Sequence, residues 1–118
     1  MRVILHVDNY TTPIVLDIVF RKTNRFERRR KNGKELIDTT CMIFRVGREI
    51  ACATARHNPL DDYNKIVGKK IALDKAIAQI EFLKRPHHCG ISEIGYPQRR
   101  IMRRHIWEVF HQTFGRWN

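Results

Sequence analysis

The segment 39–56 constrains the fold of this chain most strongly, because its pattern is that of two strands joined by a tight turn. Apolar residues alternate with small or polar ones on both sides of Gly47 and Arg48. Glycine at the first central position of a two-residue loop is typical of a type II′ turn, whose twist suits a hairpin. We therefore predict an antiparallel hairpin whose turn is formed by Gly47 and Arg48.

The predicted turn sets the register of this hairpin, since residues equally far from the turn face each other across the two strands. On one face, three alanines then lie beside larger residues in the pairs Val46–Glu49, Phe44–Ala51, Met42–Ala53 and Thr40–Ala55. Such a face is flat, so a helix is expected to pack closely against it. On the other face, this register makes Cys41 and Cys52 diagonal neighbours.

Two further strands are predicted near the start of the chain. Apolar residues recur at every second position in the segments 2–7 and 14–20, which is the period of a strand. The link between these segments ends in Thr12 and Pro13 and is rich in turn-forming residues. Because short links favour neighbouring antiparallel strands, we expect a four-stranded antiparallel sheet made of two hairpins.

Helical patterns occupy the second half of the chain. A helical turn is predicted to begin at Asn58 and Pro59, because asparagine caps helices and proline suits their first position. Gly68 is expected to bend or interrupt it before a main helix that ends at Pro86. The apolar face of this helix, which is expected to cover the alanines, consists of Leu73, Ala76, Ile77, Ile80 and Leu83.

A second long helix is predicted from Pro97 to about Phe114, with Gly115 as the residue that ends it. Met102 and Ile106 belong to its apolar side. The predicted fold class is therefore α+β, a four-stranded antiparallel sheet of two hairpins packed by two main helices on one face.

The chain has 118 residues and a formal net charge of +11. This length fits a single domain over residues 1–118, and an apolar share of 42% is enough to form a core. No apolar stretch is long enough to cross a bilayer, and Asp8 and Asn9 interrupt the first one before any cleavage site for secretion. We therefore expect a cytoplasmic protein whose three cysteines are reduced.

The segment 21–35 is the most basic part of the chain, with eight lysines and arginines and a single acidic residue, Glu27, up to Lys34. It is predicted to be an exposed loop between the second and third strands. Side chains of this charge density neutralise phosphates, although a loop that only aids solubility is the alternative. The candidate binding residues of this segment are Arg21, Lys22, Arg25, Arg28, Arg29, Arg30, Lys31 and Lys34.

The second long helix carries another basic stripe beside its apolar side. A tryptophan among arginines can stack an unpaired base, but Trp107 is equally expected to widen the buried side of the helix. Because a helix holds its arginines in place, they are expected to determine target preference, and the basic loop to supply a salt-dependent background. The candidate binding residues here are Arg99, Arg100, Arg103, Arg104 and Trp107.

The sequence gives little support for a metal site or for catalysis. His87, His88 and Cys89 are adjacent, but the chain contains no Cys-x-x-Cys and no pair of histidines four residues apart. Cys52 and His57 are predicted to point to opposite faces of one strand, which separates a nucleophile from its base. We therefore predict a protein that is not an enzyme and has neither a metal nor a cofactor.

One stretch carries a recognisable pattern, Ala53-x-Ala55-x3-Pro59-x-Asp61-x-Tyr63-x-Lys65-x2-Gly68-x-Lys70-x-Ala72-Leu73-x2-Ala76. It resembles a strand–turn–helix pattern of small, mostly uncharacterised proteins of tailed bacteriophages. The resemblance covers about a fifth of the chain, and its positions are turn residues, glycine and core alanines. It therefore implies a fold and a phage or prophage origin, which places the protein in a bacterial host cell, and it implies no activity.

Charge and resemblance together lead to two hypotheses of function. The first is a small basic accessory protein of phage type that binds nucleic acid, DNA or RNA, or a host nucleoprotein complex. The alternative is a host-takeover or anti-defence inhibitor, similar to anti-CRISPR proteins, that docks on a protein and excludes the nucleic acid of its target. The sequence leaves open which target is bound and whether a homodimer forms through a sheet edge or the last helix.

Overall fold

The structure of the protein is a computed structural model that describes residues 1–7, 12–25, 36–58, 60, 62–83 and 96–115, the side chains of residues 96 and 97 excepted. In chain order its elements are β1 (Arg2–Leu5), β2 (Ile14–Arg25), β3 (Leu36–Arg45), β4 (Arg48–Ala55), α1 (Lys65–Ile77) and α2 (Tyr96–Phe114). The strands form one antiparallel sheet in the order β1-β2-β3-β4. The predicted α+β class, with its four-stranded antiparallel sheet and two helices, is confirmed.

The core lies between the two helices and one face of the sheet. Alternate residues of the strands are buried, and in β2 the side chains of Ile14, Leu16 and Ile18 are at most 2% exposed. α1 packs on β3 and β4, and α2 packs beside β1. We call the opposite face, on which no described helix packs, the open face. The helices contribute to the core Ala72, Leu73, Ala76, Ile77, Met102, Ile106 and Phe110.

α1 lies close to the sheet because the residues beneath it are small. The alanine stripe of β4, formed by Ala51, Ala53 and Ala55, is at most 8% exposed, which confirms that a helix covers it. α1 also runs through Gly68 without a break, so the predicted bend or interruption there is wrong. A Cβ built on Gly68 would lie 2.7 Å from Thr39 Oγ1. The absence of a side chain at Gly68 therefore allows α1 to lie this close to Thr39 of β3.

Replacing Gly68 with alanine is expected to destabilise the protein by about 1–3 kcal/mol. The new methyl group would overlap the hydroxyl of Thr39, which is 1% exposed and β-branched and so cannot turn away easily. The double variant Gly68→Ala/Thr39→Ala removes the overlap and should recover part of the loss. Urea unfolding of the two single variants and the double variant measures this, and purely additive effects would contradict the close contact.

The turn between β3 and β4 lies one residue earlier than predicted. Its central residues are Val46 and Gly47, with φ angles of 52° and 72°, as in a type I′ turn. The turn is flanked by the pair Arg45 and Arg48, so Arg48 belongs to the strand and not to the turn. The preference of glycine for the first central position is overridden by the packing of β3.

The register of β3 explains this override. Cys41 and Ile43, both fully buried, face the alanine stripe, whereas Met42 and Phe44 point to the open face and are half-buried. A bulge between Ile43 and Phe44 adjusts the pairing. The predicted pairs are therefore wrong, and Cys52 is exposed on the face opposite Cys41. Burial, assisted by the neighbouring Cys52, raises the pKa of the Cys41 thiol to about 12.

Residues 21–25 belong to β2, which corrects the predicted loop over 21–35. Their partners in β3 run from Thr40 opposite Arg21 to Leu36 opposite Arg25. The ladder continues here because residues 36–40 of β3 are apolar or β-branched apart from one aspartate, and suit a strand. The rest of the predicted loop, with Arg28, Arg29, Arg30, Lys31 and Lys34, lies outside the described residues.

The ends of the helices agree only partly with the prediction. Asn64, not Asn58, caps α1, since its Oδ1 accepts two backbone N–H groups of the first turn at 3.0 and 3.2 Å. α1 ends at Ile77, well before the predicted end. α2 has its predicted extent, and Gly115 ends it with a φ of 86° and a hydrogen bond from its N–H to a carbonyl of the last turn.

Residues at the C-terminal end of α1 cover the outer edge of β4. The side-chain amide of Gln79 accepts the N–H of Cys52 at 3.0 Å and donates to its carbonyl at 2.8 Å. Lys75 Nζ lies 3.4 Å from the carbonyl oxygen of Thr54. These contacts occupy backbone groups that an added strand would need, so a dimer formed through this edge would have to displace Gln79.

Candidate nucleic-acid interface

The described residues of the predicted basic loop point in different directions along β2. Arg21 and Lys22 are exposed, Arg21 on the open face and Lys22 on the helix-covered side opposite Thr39. Arg25 is half-buried, and its guanidinium binds Asp38. Strand geometry therefore places Lys22 on the opposite face from Arg21 and Arg25, and Arg25 is held by Asp38.

Asp38 is the centre of a small polar network. Its carboxylate accepts Arg25 Nε at 3.1 Å and the backbone N–H of His57 at 2.9 Å, and Arg25 also donates to the carbonyl of His57. His57 Nδ1 in turn accepts the N–H of Ile37. Burial favours the neutral carboxyl, but the His57 N–H and the Arg25 guanidinium outweigh it, so the pKa of Asp38 lies below its ordinary value of 3.8.

This network makes stability depend on pH. Because the pKa of Asp38 is lower in the folded protein than in the unfolded chain, its contribution is present above the unfolded pKa and is lost as the pH falls through the folded pKa. The urea midpoint of the unaltered protein should therefore drop more between about pH 6 and about pH 3 than that of Asp38→Asn. Equal drops in both proteins would contradict the network.

The predicted arginine stripe of α2 is only partly available to a ligand. Arg99 is 8% exposed, so little of its surface is open to a ligand. Arg103 is half-buried, and its Nη1 donates to the carbonyl of Leu83 at 2.6 Å. Arg100 and Arg104 are exposed. Two of the four arginines thus belong to the packing of the helix.

The sequence allowed two roles for Trp107, stacking on a base or widening the buried side of α2, and its position in the structure fits the second. Its half-buried ring packs against the core, with a centroid distance of 5.5 Å to Phe110 in an edge-on arrangement. The pocket beside Arg104 also contains Glu108, whose carboxylate lies 3.6 Å from His105. An acidic group in that pocket disfavours a phosphate there.

Lys69 of α1 has two other lysines near it. They are Lys22 of β2 and Lys65 of the same helix, and we call these three residues the lysine cluster. Burial, followed by the charges of Lys22 and Lys65, lowers the pKa of Lys69 below its ordinary value of 10.5. Within the described part of the chain, none of the three ammonium groups forms an ion pair. The cluster is therefore a site of uncompensated positive charge.

Aromatic rings surround the lysine cluster. Lys69 Nζ lies 4.0 Å from the ring centroid of Phe114 and 5.9 Å from that of Phe20. The two rings meet edge-on, with centroids 5.5 Å apart, and we call them the phenylalanine pair. Lys22 Nζ lies 5.6 Å from the ring of Tyr63. Residues from β2, α1 and α2 thus combine cations and aromatic faces at one place.

A cavity of about 490 Å³ opens between the lysine cluster and the phenylalanine pair. Thr39 lies at its wall, but its Oγ1 is buried beneath Gly68 of α1. Ammonium groups and apolar walls therefore meet in one open cavity. The residues that line it are Met1, Ile18, Val19, Phe20, Lys22, Thr39, Lys69 and Phe114.

The sequence interpretation included Lys22 but missed the rest of this site. Lys65 and Lys69 are four residues apart, which places both on one side of a helix, and this spacing was the available signal. Phe20 falls within a predicted strand and Phe114 at the end of a predicted helix. Nothing in the local pattern indicates that these elements meet.

Cys52 and His57, the described residues that were considered for catalysis, are not members of the lysine cluster. His87, His88 and Cys89 fall outside the described residues. In the ranges that the structure describes, no group of three or more histidine, cysteine or acidic side chains is close enough to hold a metal ion. Cys52 is exposed on the open face, and His57 uses its Nδ1 within the Asp38 network.

Comparisons with protein-family models, curated proteins and solved structures found no match for this chain. None of the helices described above is both long and apolar enough to cross a membrane.

Proposed function

We propose that this protein is a non-enzymatic binding protein whose target carries phosphates, either nucleic acid or a host nucleoprotein complex. The observation that carries this proposal is the lysine cluster, in which Lys22, Lys65 and Lys69 lie together without an acidic partner in the described residues. Like charges held together raise the free energy of the unbound protein, and a bound phosphate lowers it again. A polyanion is the ligand that gains most from such a surface.

Charge elsewhere on the protein supports the same target class. Arg21, Arg100 and Arg104 are exposed, and the whole chain has a net charge of +11. These cations strengthen the long-range attraction of nucleic acid without fixing a sequence, because contacts to phosphates carry little base information. Binding is therefore expected to depend steeply on salt and weakly on sequence.

The environment of the titratable groups favours binding over catalysis. Asp38 is engaged by Arg25, and His57 accepts a backbone N–H through Nδ1, so both serve the structure around them. A general base instead needs a free acceptor aimed at its substrate. Non-enzymatic binding is therefore the function that we propose.

A gel-shift series with single-stranded DNA, duplex DNA and RNA at rising salt tests this proposal. At least one of the three should be retarded at about 50 mM salt and released as salt increases. The variant Lys69→Gln should weaken the shift, whereas Arg48→Gln, which removes the same charge at the far hairpin turn, should leave it nearly unchanged. Absence of any shift at low salt would contradict direct binding of nucleic acid.

The open face of the sheet supports a second candidate, a protein-docking inhibitor of host machinery or defence. Ile4 is 45% exposed on this face, and Phe44 is half-buried there without joining the core. Apolar side chains rimmed by charge are typical of protein interfaces. Such an inhibitor of phage type would act in the cytoplasm of a bacterial host.

A pull-down from bacterial lysate separates the two candidates. A partner protein that stays bound after nuclease treatment supports the inhibitor, and a partner that is lost supports tethering through nucleic acid. The double variant Ile4→Ser/Phe44→Ser should release a directly bound protein, whereas Lys69→Gln should release nucleic acid.

A further inference from the structure

The cavity beside the lysine cluster presents aromatic surface as well as positive charge to a ligand. Its walls include the rings of Phe20 and Phe114, and its volume of about 490 Å³ has room for a group as large as a nucleotide. The Phe114 ring is covered on the cavity side by the ammonium group of Lys69 at 4.0 Å. A flexible lysine can leave this position, which would free the aromatic face.

We propose that this cavity holds one unpaired nucleotide of a single-stranded nucleic acid, an inference that rests on the proposed function. The base lies against the phenylalanine pair, and Lys69 moves from the Phe114 ring to the adjoining phosphate. Lys22 and Lys65 neutralise the same phosphate or its neighbour. Stacking on aromatic side chains combined with a basic surface is how proteins bind single strands without sequence preference.

A duplex fits this site less well. Its phosphates can approach the lysine cluster, but its bases are stacked on each other and cannot enter a concave cavity unless a nucleotide is flipped out, which costs free energy. The cavity therefore discriminates by strandedness, whereas the lysine cluster alone does not.

Fluorescence anisotropy with labelled oligonucleotides tests this inference. The three probes are an oligothymidylate of about eight nucleotides, an abasic strand of the same length, and a short hairpin duplex. The unaltered protein should bind the oligothymidylate about five- to a hundredfold more tightly than the abasic strand, because only the former has bases to stack. It should also prefer the oligothymidylate to the duplex.

Two phenylalanine variants test whether the preference for strands with bases depends on the cavity. Phe114→Leu keeps apolar volume but removes the ring, so it should lose most of the preference for bases and keep the salt dependence and the affinity for the abasic strand. Phe82→Leu is the matched control, since Phe82 is also a half-buried ring below a cation, Arg45, but lies away from the cavity. It should bind all three probes as the unaltered protein does.

The outcomes separate this inference from the proposed function. Equal affinity of the unaltered protein for the oligothymidylate and the abasic strand would overturn the inference, and this comparison needs no variant to fold. Equal effects of Phe114→Leu and Phe82→Leu would also overturn it. If none of the probes binds at about 50 mM salt, the proposed function itself fails.

Discussion

Replacement of Lys22, Lys65 and Lys69 by glutamine is expected to weaken binding of single-stranded nucleic acid about a hundred- to a thousandfold at about 50 mM salt. Each lysine that meets a phosphate releases a condensed counterion, and this release is the main source of affinity at low salt. The slope of log affinity against log salt should decrease in magnitude by about two, since each contact with a single strand contributes about 0.7. Titrations at several salt concentrations measure both quantities.

The matched control for this variant removes the same number of charges elsewhere. Arg48, Arg100 and Arg104 are exposed, and the last two belong to the stripe that the sequence favoured. Their replacement by glutamine should reduce affinity only a few-fold, as expected for cations that contribute through the long-range field. If both triple variants lose affinity equally, net charge explains binding and the lysine cluster has no special role.

Replacement of Ala53 by glutamate is expected to destabilise the fold by about 3 kcal/mol or more. Ala53 is 8% exposed and lies beneath α1, so the larger side chain would push the helix away or leave a carboxylate buried without a partner. Both consequences are unfavourable, because cores tolerate neither added volume nor an unpaired charge.

The control for this substitution is Cys52→Glu, which places the same side chain one residue earlier on the same strand. Cys52 is exposed on the open face, so this change should alter stability by about 0.5 kcal/mol at most. Urea unfolding followed by circular dichroism compares the two variants. Equal midpoints would show that α1 does not rest on the alanine stripe as described.

The fold was predictable where local pattern and tertiary packing agree. Alternation in the segments 2–7 and 14–20 and the alanine stripe were sufficient to predict the antiparallel sheet and its covered face. The turn was misplaced because Gly47 suits either central position, and the choice depends on how Cys41 and Ile43 pack in the core. Residues 21–25 were predicted to be a loop because they are charged or polar, but they pair with β3.

The candidate site was harder to predict, because it forms from three separate elements. Lys22, Lys69 and Phe114 meet only once β2, α1 and α2 have packed together. The arginines of α2 were predicted to bind because they are dense in the sequence. Arg99 is buried and Arg103 donates to a backbone carbonyl, and both features depend on tertiary contacts that composition does not reveal. The sequence shows which residues are basic, and tertiary packing determines which of them a ligand can reach.

The central claim is that phosphates bind at the lysine cluster, and a heteronuclear NMR titration with a short oligothymidylate at low salt tests it most directly. We predict that the largest amide shift changes occur at Phe20, Lys22, Lys69 and Phe114, and that they vanish as salt is raised. Shift changes confined to Arg100 and Arg104 of α2, or the absence of any change at low salt, would contradict the claim.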